Sequence, residues 1–540
     1  MKIGPERLRC GIAIALLLAA PAYGQQAAST QSQLSSILSY IAKGWDSLTR
    51  SMTRCDTVAD PKLAASPVLY LPAEFSTPED VLKLQANCKV QVEHLPKVIH
   101  RLGEVDMNRI SPHGLLFLEH PYVVPGGRFN EMYGWDSYFI QLGLLRDGQT
   151  PLAKDMADNF LYEIQNYGSI LNANRTYYVT RSQPPFLTEM LLNVFQRTHD
   201  RKWLENSLPM IEKYYRFWTS GPHLTPETGL SRYFDLGDGP APEVMASERD
   251  AQGRTHYDLV RQYFRTQKVT AYDVRQYYDA GQNRLTPLFY KGDRSMRESG
   301  FDPSDRFGPF SVDIIHYNPV CLNSLLYVME VQTAEILRKL GRAADTALWE
   351  GRARGRAARI NRLMWDPNDG LYYDYNFDRK QVRKYPFLTT FYPLWAGIAS
   401  REQAARVVEN LKLFERAGGL QTSTNMSGSQ WDAPFGWAPL ELLAVEGMRR
   451  YGYGRDADRV SAAFLSLVLE QYRASGTIVE KYDVVRRSTE LSERIRFGYH
   501  SNEAGFGWTN AAFTALLDEL KSADREQLLR GAAAKVAPAQ

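Results

Sequence analysis

The sequence has little of what nucleic-acid-binding or metal-binding proteins require. Its 540 residues carry 64 basic and 61 acidic side chains, a net charge of +3, and they form no basic stripe of the kind that nucleic acid needs. The four cysteines are not spaced as zinc ligands are. No metal-ligand cluster or nucleotide-binding glycine loop stands out, so we expect no cofactor and no nucleic-acid partner.

Long hydrophobic runs are also scarce. Residues 10–20 form an apolar stretch that follows three basic residues, and it is about half the ~20 residues that a membrane span needs. Small residues follow it, so we predict a signal peptide over residues 1–24 with cleavage after Gly24. The alternative is a retained anchor. The expected protein is secreted or periplasmic, with no membrane anchor after cleavage.

Cleavage would leave three cysteines in the chain. An oxidising compartment permits one disulfide, and Cys55 with Cys88 is the better pair because the two are close in sequence. Cys321 lies in an apolar helical run, so we expect a buried thiol there.

Strand-like alternation is rare and short, whereas helical periodicity recurs along the chain. Residues 320–341 carry apolar side chains at helical spacing and end at Gly341. Similar amphipathic segments lie near residues 80–103, 136–147, 151–166, 186–198, 202–218, 344–364, 388–398, 402–413, 437–450, 455–474 and 506–521. The pattern predicts an all-α chain of about a dozen helices, many of them paired.

The loops between these helices are long and rich in aromatic and charged residues. Loops on a rigid scaffold often carry function, which favours an α/α toroid with long loops that form the active-site mouth. A solenoid would show a fixed sequence period, and none is present. We divide the chain into an N-terminal extension (25–60), a catalytic domain (61–525) and a C-terminal tail (526–540).

One loop, "PGGRFNEMYGWDSYF" (125–139), is the most informative. Aromatic rings such as Trp135 and Phe129 pack against the C–H faces of sugars. Charged groups such as Arg128 and Asp136 hold sugar hydroxyls. The stretch predicts a carbohydrate site, and the alternative is a structural loop with a buried ion pair.

This stretch resembles the first signature of the trehalases, glycoside hydrolase family 37. "QWDAPFGWAP" (430–439) resembles the second. Four further segments are similar to family segments and follow in family order: "NANRTYYVTRSQPP" (172–185), "ESGFDPSDRFG" (298–308), "IVEKYDV" (478–484) and "GFGWTN" (505–510). The resemblance covers residues 60–525. It implies an (α/α)6 barrel and hydrolysis of the small-molecule sugar trehalose to two glucose molecules.

The resemblance also implies residue roles. Asp302 falls on the general acid of the family and Glu480 on its general base, in an inverting reaction that places a water between the base and the sugar. Trp431 is a candidate stacking face, and Glu243 matches a binding glutamate less securely. The expected substrate-binding residues are Arg128, Trp135, Asp136, Asn172, Arg181, Ser182, Gln183, Glu243, Gly300 and Trp431.

The sequence departs from the family pattern at three places. Ala241 stands where the family has an arginine before Pro-Glu, and Tyr499 stands near the position of a binding glutamate, with Glu503 four residues later. An extra segment rich in Tyr and Arg (254–290) precedes Asp302, and we predict that it forms part of the sugar-site rim. These changes leave open another glucoside as substrate, or a non-catalytic sugar-binding relative. Retention of both catalytic carboxylates argues against the latter.

Overall fold

The structure is a computed structural model that describes residues 20–58, 67–245, 249–250, 252–491, 495–499, 501–521 and 525. Most of the predicted signal peptide (residues 1–19) and the predicted tail (526–540) lie outside the described residues. The first helix begins at Ala20 and continues through the predicted cleavage site after Gly24. The predicted domain boundaries stay predictions.

Helices dominate the described part of the chain, as the periodicity predicts. They are α1 (Ala20–Leu48), α2 (Cys55–Val58), α3 (Glu79–Cys88), α4 (Gly134–Arg146), α5 (Thr150–Tyr167), α6 (Leu187–Thr198), α7 (Arg201–Trp218), α8 (Pro242–Met245), α9 (His256–Thr266), α10 (Pro287–Glu298), α11 (Val320–Lys339), α12 (Ala343–Leu363), α13 (Tyr392–Ala396), α14 (Arg401–Glu409), α15 (Ala438–Arg450), α16 (Gly454–Ser475) and α17 (Gly507–Glu519).

Six of the described helices form a closed inner ring. The helix α4 packs on α6, α6 on α11, α11 on α13, α13 on α15, α15 on α17, and α17 on α4 again. These helices are buried around most of their circumference, because each touches ring neighbours on both sides and an outer layer behind. Apolar residues therefore surround them instead of forming a single stripe.

An outer layer of helices surrounds this ring. The helix α5 packs on α4, α7 on α6, α12 on α11, α16 on α15, and α1 on α17, while α14 follows α13 in the chain. The outer helix α7 is amphipathic, with Leu204, Leu208, Ile211 and Tyr215 buried at helical spacing. Inner and outer layers together confirm the predicted all-α (α/α)6 barrel.

The direction of the inner helices places the long loops together. Each outer helix returns the chain before the next inner helix begins, so the inner helices run the same way. Their N-termini, and the loops that lead into them, meet at one end of the barrel. The predicted site segments 125–139, 172–185, 298–308, 430–439 and 478–510 all lead into or begin such helices.

The strands are two to four residues long and pair locally. They are β1 (Thr49–Arg50), β2 (Val68–Leu71), β3 (Gln91–His94), β4 (Leu115–Leu116), β5 (Tyr122–Val123), β6 (Leu224–Thr225), β7 (Leu230–Ser231), β8 (Tyr278–Asp279), β9 (Arg284–Leu285), β10 (Tyr317–Asn318), β11 (Trp365–Asp366), β12 (Leu371–Tyr372), β13 (Asp374–Asn376), β14 (Gln381–Arg383), β15 (Glu415–Arg416), β16 (Gly419–Leu420), β17 (Phe435–Trp437) and β18 (Lys481–Asp483).

The predicted helix over residues 80–103 is wrong beyond Cys88. Lys89 adopts the left-handed conformation with φ of 54°, which ends α3. The following residues form β3, which pairs in parallel with β2. Cys88 at the end of α3 forms a disulfide with Cys55, the pair that the sequence favoured, and Cys321 is a buried free thiol.

A second, smaller core lies beside the barrel and contains the extra segment 254–290. Tyr257, Val260 and Phe264 are buried along one face of α9 and pack with residues of α8, α10 and the stretch 310–312. The segment therefore contacts α10, the helix that precedes Asp302, and the 310–312 stretch that follows it.

The described helices include one, α11, that is long and apolar enough to cross a membrane by composition alone. Most of its apolar window is buried inside the protein, where α11 serves as an inner helix of the ring.

Candidate active site

Asp302 lies in the loop between α10 and α11. The preceding Gly300 has φ of +77°, and a side chain there would meet the Trp135 ring at 3.0 Å. Glycine therefore allows the turn and its close packing on the indole. The Asp302 carboxyl is one third exposed (34%), and its Oδ2 lies 3.4 Å from Nη1 of Arg297.

The electrostatics around Asp302 favour a protonated carboxyl. Burial raises the pKa of Asp302 to about 7, against the opposing charges of Arg297 and Arg181, and the Glu243 carboxylate adds to the rise. At neutral pH a large fraction of Asp302 therefore holds a proton, which a general acid requires.

Glu480 is a buried carboxylate at the start of β18. Its backbone N–H donates to the Glu503 carbonyl (3.0 Å), and its carbonyl accepts from Nε1 of Trp508 (3.1 Å). Its Oε2 lies 3.3 Å from Nζ of Lys481, and the Tyr499 hydroxyl donates to its Oε1. These contacts fix both the backbone and the carboxylate.

Asp136, near the start of α4, links the two carboxylates in space. It is buried, and its pKa is raised well above the usual range by burial and then by the charges of Glu480 and Asp302. Because the charges of both residues act on the Asp136 carboxyl, Asp136 lies near both of them. The three carboxyls therefore share one site, although they lie in three separate parts of the sequence.

Gln430 joins the loops that carry the two carboxylates. Its Nε2 donates to the backbone carbonyl of Asp302, and its Oε1 accepts from Nζ of Lys481 at 3.2 Å. The side chain is buried. The sequence analysis assigned no role to Gln430. The one feature that could have marked it as a site residue is its place as the first residue of the 430–439 segment.

Arg181 and Glu243 form an ion pair next to these carboxyls. Arg181 donates through Nη2 to Oε1 of Glu243, and its Nη1 lies 3.6 Å from Oδ2 of Asp235. Burial lowers the pKa of Arg181, but Glu243 and Asp235 raise it further, so the guanidinium stays charged. One oxygen of Glu243 and two nitrogens of Arg181 have no hydrogen-bond partner within the described part of the protein.

Two of the predicted binding residues, Gln183 and Asn172, hold the backbone around Trp135. Oε1 of Gln183 accepts from the Trp135 N–H at 3.0 Å, and the Asn172 carbonyl accepts from the Gly134 N–H at 3.1 Å. The Ser182 hydroxyl lies 3.3 Å from the Tyr214 hydroxyl, away from the carboxyls. The structure thus brings Asn172 and Gln183 to the site and turns the Ser182 side chain into the core.

Trp135 and Trp431 belong to a buried aromatic cluster below the carboxyls. Trp431 stacks on Trp437 with ring centroids 3.8 Å apart and planes 5° apart, and Trp135 packs against Trp431 at 5.8 Å. Both indoles are about 2% exposed. One face of Trp431 is therefore covered by protein, and its role as a sugar-stacking face stays a prediction.

Known protein families include one that matches nearly the whole chain. The Trehalase family model matches residues 23–521. The chain belongs to the trehalase family.

Individual relatives agree with this assignment. The chain is 36% identical over 550 residues to the cytosolic neutral trehalase of Saccharomyces cerevisiae, an alignment that covers 90% of this chain and 71% of the relative. It is 35% identical over 531 residues to the cytosolic neutral trehalase of Kluyveromyces lactis, covering 87% and 69% of the two chains. Membership of glycoside hydrolase family 37 is thereby confirmed.

Solved structures show the same fold. Neutral trehalase Nth1 from Saccharomyces cerevisiae matches with a TM-score of 0.76 at 35% identity, covering 92% of this chain and 96% of that one. A GH63 mannosylglycerate hydrolase from Thermus thermophilus matches with a TM-score of 0.50 at 18% identity, covering 73% and 95%. The second likeness concerns the fold alone.

The comparisons correct one prediction. The relatives from Saccharomyces cerevisiae and Kluyveromyces lactis are named cytosolic trehalases, which overturns the predicted secreted or periplasmic location. These names also give no support to the predicted signal peptide. An apolar stretch after basic residues, followed by small residues, was the basis for both predictions.

The structure shows what surrounds the positions where this trehalase-family chain departs from the family pattern. The backbone N–H of Ala241 donates to the Tyr257 hydroxyl at 3.0 Å. The Tyr499 ring lies over Nζ of Lys481 at 3.7 Å. Glu503 pairs with Arg128, with Oε2 at 3.2 Å from Nε and Oε1 accepting from the Arg128 N–H at 3.1 Å. Tyr499 therefore contacts Glu480, and Glu503 anchors a predicted binding residue.

Arg297 is a further site residue that sequence reasoning missed. It lies on the last turn of α10, and its guanidinium contacts the proposed acid Asp302. The signal for it was its place directly before the 298–308 segment. Because many arginines in the chain lie near motifs, sequence position alone could not select this one.

Proposed function

We propose that this protein is an α,α-trehalase that hydrolyses trehalose to two glucose molecules with inversion at the attacked carbon. Membership of the trehalase family supports the reaction. The observation that carries the proposal is the contrast between two carboxyls at one site. Asp302 has a pKa of about 7, whereas Glu480 lies 3.3 Å from the Lys481 ammonium.

In the proposed reaction, Asp302 acts as the general acid. It gives its proton to the oxygen that links the two sugars, and the bond between that oxygen and the anomeric carbon of the other sugar breaks. The leaving glucose takes the proton as its hydroxyl hydrogen. Without this proton the leaving group would depart as an alkoxide, so protonation lowers the barrier.

Glu480 acts as the general base in the same step. It removes a proton from a water molecule, whose oxygen attacks the anomeric carbon from the face opposite the leaving group. The contacts from Lys481 and Tyr499 hold the Glu480 carboxylate towards that water. The products are one α-glucose from the leaving group and one β-glucose from the attacked sugar.

Substrate binding rests on the polar residues around the two carboxyls. Arg128, Arg181 and Glu243 offer charged groups that can bind sugar hydroxyls bidentately. Asp136 lies near both proposed catalytic carboxyls, and Asn172 is held beside Trp135 through the Gly134 contact. We propose direct sugar contacts for these residues and a supporting role for Ser182, whose hydroxyl faces Tyr214.

The other substrates and roles considered from the sequence are not favoured. The relatives that match most of the chain are named trehalases, and both catalytic carboxyls are present and oriented by several contacts. Ala241 and Tyr499 make contacts with Tyr257 and Glu480, so they are integrated into the site.

Proton NMR of the first minutes of trehalose hydrolysis by the purified protein tests this proposal. Inversion gives α- and β-glucose in about equal amounts before mutarotation mixes them. Release of α-glucose alone would indicate retention and refute the inverting assignment. A panel of other glucosides under the same conditions should release little glucose, and preferential hydrolysis of one of them would refute trehalose as the substrate.

A further inference from the structure

A buried chain of contacts extends from the extra segment 254–290 to the proposed general acid. The Tyr257 hydroxyl on α9 donates to Oδ2 of Asp293 on α10 at 2.9 Å. Asp293 accepts from Arg297 through Nη2 at 3.1 Å and Nε at 3.3 Å. Nη1 of the same guanidinium lies 3.4 Å from Oδ2 of Asp302. Arg297 thus stands between two carboxyls and contacts both.

The arrangement is shielded from solvent. The Asp293 side chain is fully buried and that of Arg297 is 11% exposed, so water screens their charges weakly. The two residues are four apart on α10, which places them on one helix face. Arg297 makes its shorter contacts with Asp293 and a longer one with Asp302, so Asp293 is its principal partner.

The contact between Arg297 and Asp302 opposes the protonation of Asp302 that the proposed reaction requires. A guanidinium beside a carboxyl favours the ionised carboxylate, yet a general acid must hold a proton. Burial raises the pKa of Asp293, but Arg297, His256 and the Tyr257 hydroxyl lower it further, and Asp293 is therefore ionised. Its negative charge offsets the positive charge of Arg297.

Resting on the proposed role of Asp302 as general acid, we propose that Asp293, held by Tyr257, is a positioning residue for catalysis. It binds and neutralises Arg297, so that Asp302 keeps its proton while a guanidinium lies next to it. Tyr257 also accepts the Ala241 N–H at 3.0 Å. The extra segment thereby connects the position of the missing arginine with the residue that contacts the acid.

The other charged groups around these residues are known. His256 has a pKa lowered to about 4 by burial and Arg297, so it is neutral near pH 7. Glu243 faces both Arg297 and Asp302. Tyr290 also faces Asp293. Further titratable groups near Asp302 are Arg181, Asp136, Lys481 and Tyr499, and the proposed base Glu480 lies in the same site. A substitution at Asp293 leaves each of them in the protein.

The test is the pH dependence of kcat/KM for trehalose in the full-length variant Asp293→Asn. The amide leaves the Arg297 charge uncompensated, which stabilises the Asp302 carboxylate. We expect the alkaline limb of the profile to move to lower pH by about one unit. An alkaline limb that stays within about 0.2 pH units of the wild-type position overturns the proposal.

Two further variants establish that the effect is electrostatic and passes through Arg297. Asp293→Glu retains the negative charge, so the alkaline limb of its kcat/KM profile should lie at the wild-type position. In an Arg297→Gln background, Asp293→Asn should cause a clearly smaller shift, because only the direct loss of the Asp293 charge remains and no freed guanidinium can pair with Asp302. A shift of equal size in that background overturns the proposed route. Asp293→Ser, a smaller neutral side chain, replaces the asparagine variant if that variant does not fold.

The chain offers a matched control in a second buried triad. The Tyr215 hydroxyl donates to Oε1 of Glu330 at 2.6 Å, and Nε of Arg356 donates to the same oxygen at 2.9 Å, among α7, α11 and α12. Glu330→Gln, like Asp293→Asn, replaces a buried carboxylate that pairs with an arginine by an amide, but no proposed catalytic carboxyl contacts that arginine. It should leave the alkaline limb unchanged, and a comparable shift there would show a general effect of destabilisation and overturn the proposal.

The variant Asp302→Asn separates this inference from the proposed function. If that variant retains activity, Asp302 is not the general acid and both proposals fail. If it is inactive while Asp293→Asn leaves the alkaline limb in place, the proposed function stands and only the role of Asp293 is refuted.

Discussion

Replacement of Gln430 by leucine tests whether one buried amide fixes the relative positions of the two proposed catalytic carboxyls, Asp302 and Glu480. Both polar groups of Gln430 are used within the protein: Nε2 donates to the Asp302 carbonyl and Oε1 accepts from the Lys481 ammonium. Leucine has a similar volume and neither group. The Asp302 carbonyl and the Lys481 ammonium would each lose a partner, while Lys481 keeps Glu480 and the Ser501 carbonyl.

The magnitude follows from these contacts. A neutral hydrogen bond contributes about 0.5–1.5 kcal/mol and one to a charged group about 1.5–3 kcal/mol, so the pair contributes roughly 2–4.5 kcal/mol. If about 2.7 kcal/mol of this appears in the activation barrier, kcat falls about 100-fold. Because Nε2 and Oε1 of Gln430 each already contact a group of the protein, we expect KM to change by less than about threefold.

Steady-state trehalose hydrolysis with thermal unfolding of the same samples measures both effects. The control is Gln141→Leu, since Gln141 is also a buried glutamine and its Nε2 donates to the Ala153 carbonyl between α4 and α5 at 3.0 Å. Both variants should lose stability, and only Gln430→Leu should lose kcat strongly. Equal kcat values for the two variants would refute the reasoning and reduce Gln430 to a packing residue.

Three other predictions follow from the site. Asp302→Asn and Glu480→Gln should each lower kcat by at least about 10³ at unchanged thermal stability, because each keeps the shape and removes the proton-transfer group; activity within tenfold of wild type would exclude that residue. The value of kcat/KM for the wild type should fall above about pH 7, where Asp302 loses the proton that it must donate; a flat profile from pH 6 to 9 would contradict this. Gly300→Ala should lower the free energy of unfolding by about 1 kcal/mol or more, and should also lower kcat. The reason is that the φ of residue 300 is +77° and a Cβ there would meet the Trp135 ring at 3.0 Å. Thermal unfolding and activity assays that find the variant fully active and equally stable would rule this out.

Tyr499 contacts the proposed base at a position where the sequence departs from the family pattern. The resemblance to the family leads one to expect a glutamate near this position, and the structure has a phenol that donates to the Glu480 carboxylate. Burial and the charges of Glu480 and Asp302 raise the pKa of Tyr499 well above its usual range, so the hydroxyl remains a donor. The change therefore replaces a carboxylate with a neutral group that orients the proposed base.

Local patterns in the sequence are enough to predict the class of fold and to select the candidate site residues that lie in the strongest motifs. Helical periodicity predicts α7 and α12 because side chains three and four residues apart share a helix face, whatever the rest of the chain does. The paired carboxyls Asp302 and Glu480 could be selected because family resemblance marks short segments around them. The structure places Asp302 and Glu480 at one site, which is consistent with their choice as the catalytic pair.

Tertiary structure alone decided the contacts between segments. The helix predicted over residues 80–103 ends at Cys88, because Lys89 turns left-handed and the next residues gain a strand partner in β2. Gln430 contacts Asp302 across 128 positions of sequence. No local pattern encodes such a meeting, since it exists only once the ring of inner helices has closed.

The same reason explains the role of the extra segment. Its Tyr and Arg content predicted polar contacts at the sugar site, but composition could not say which residue they would reach. The fold brings Tyr257 from α9 to Asp293, and Arg297 from α10 to Asp302. Short-range propensity fixes where helices form, whereas the pairing of charges at the site depends on how those helices pack, and packing is a property of the whole chain.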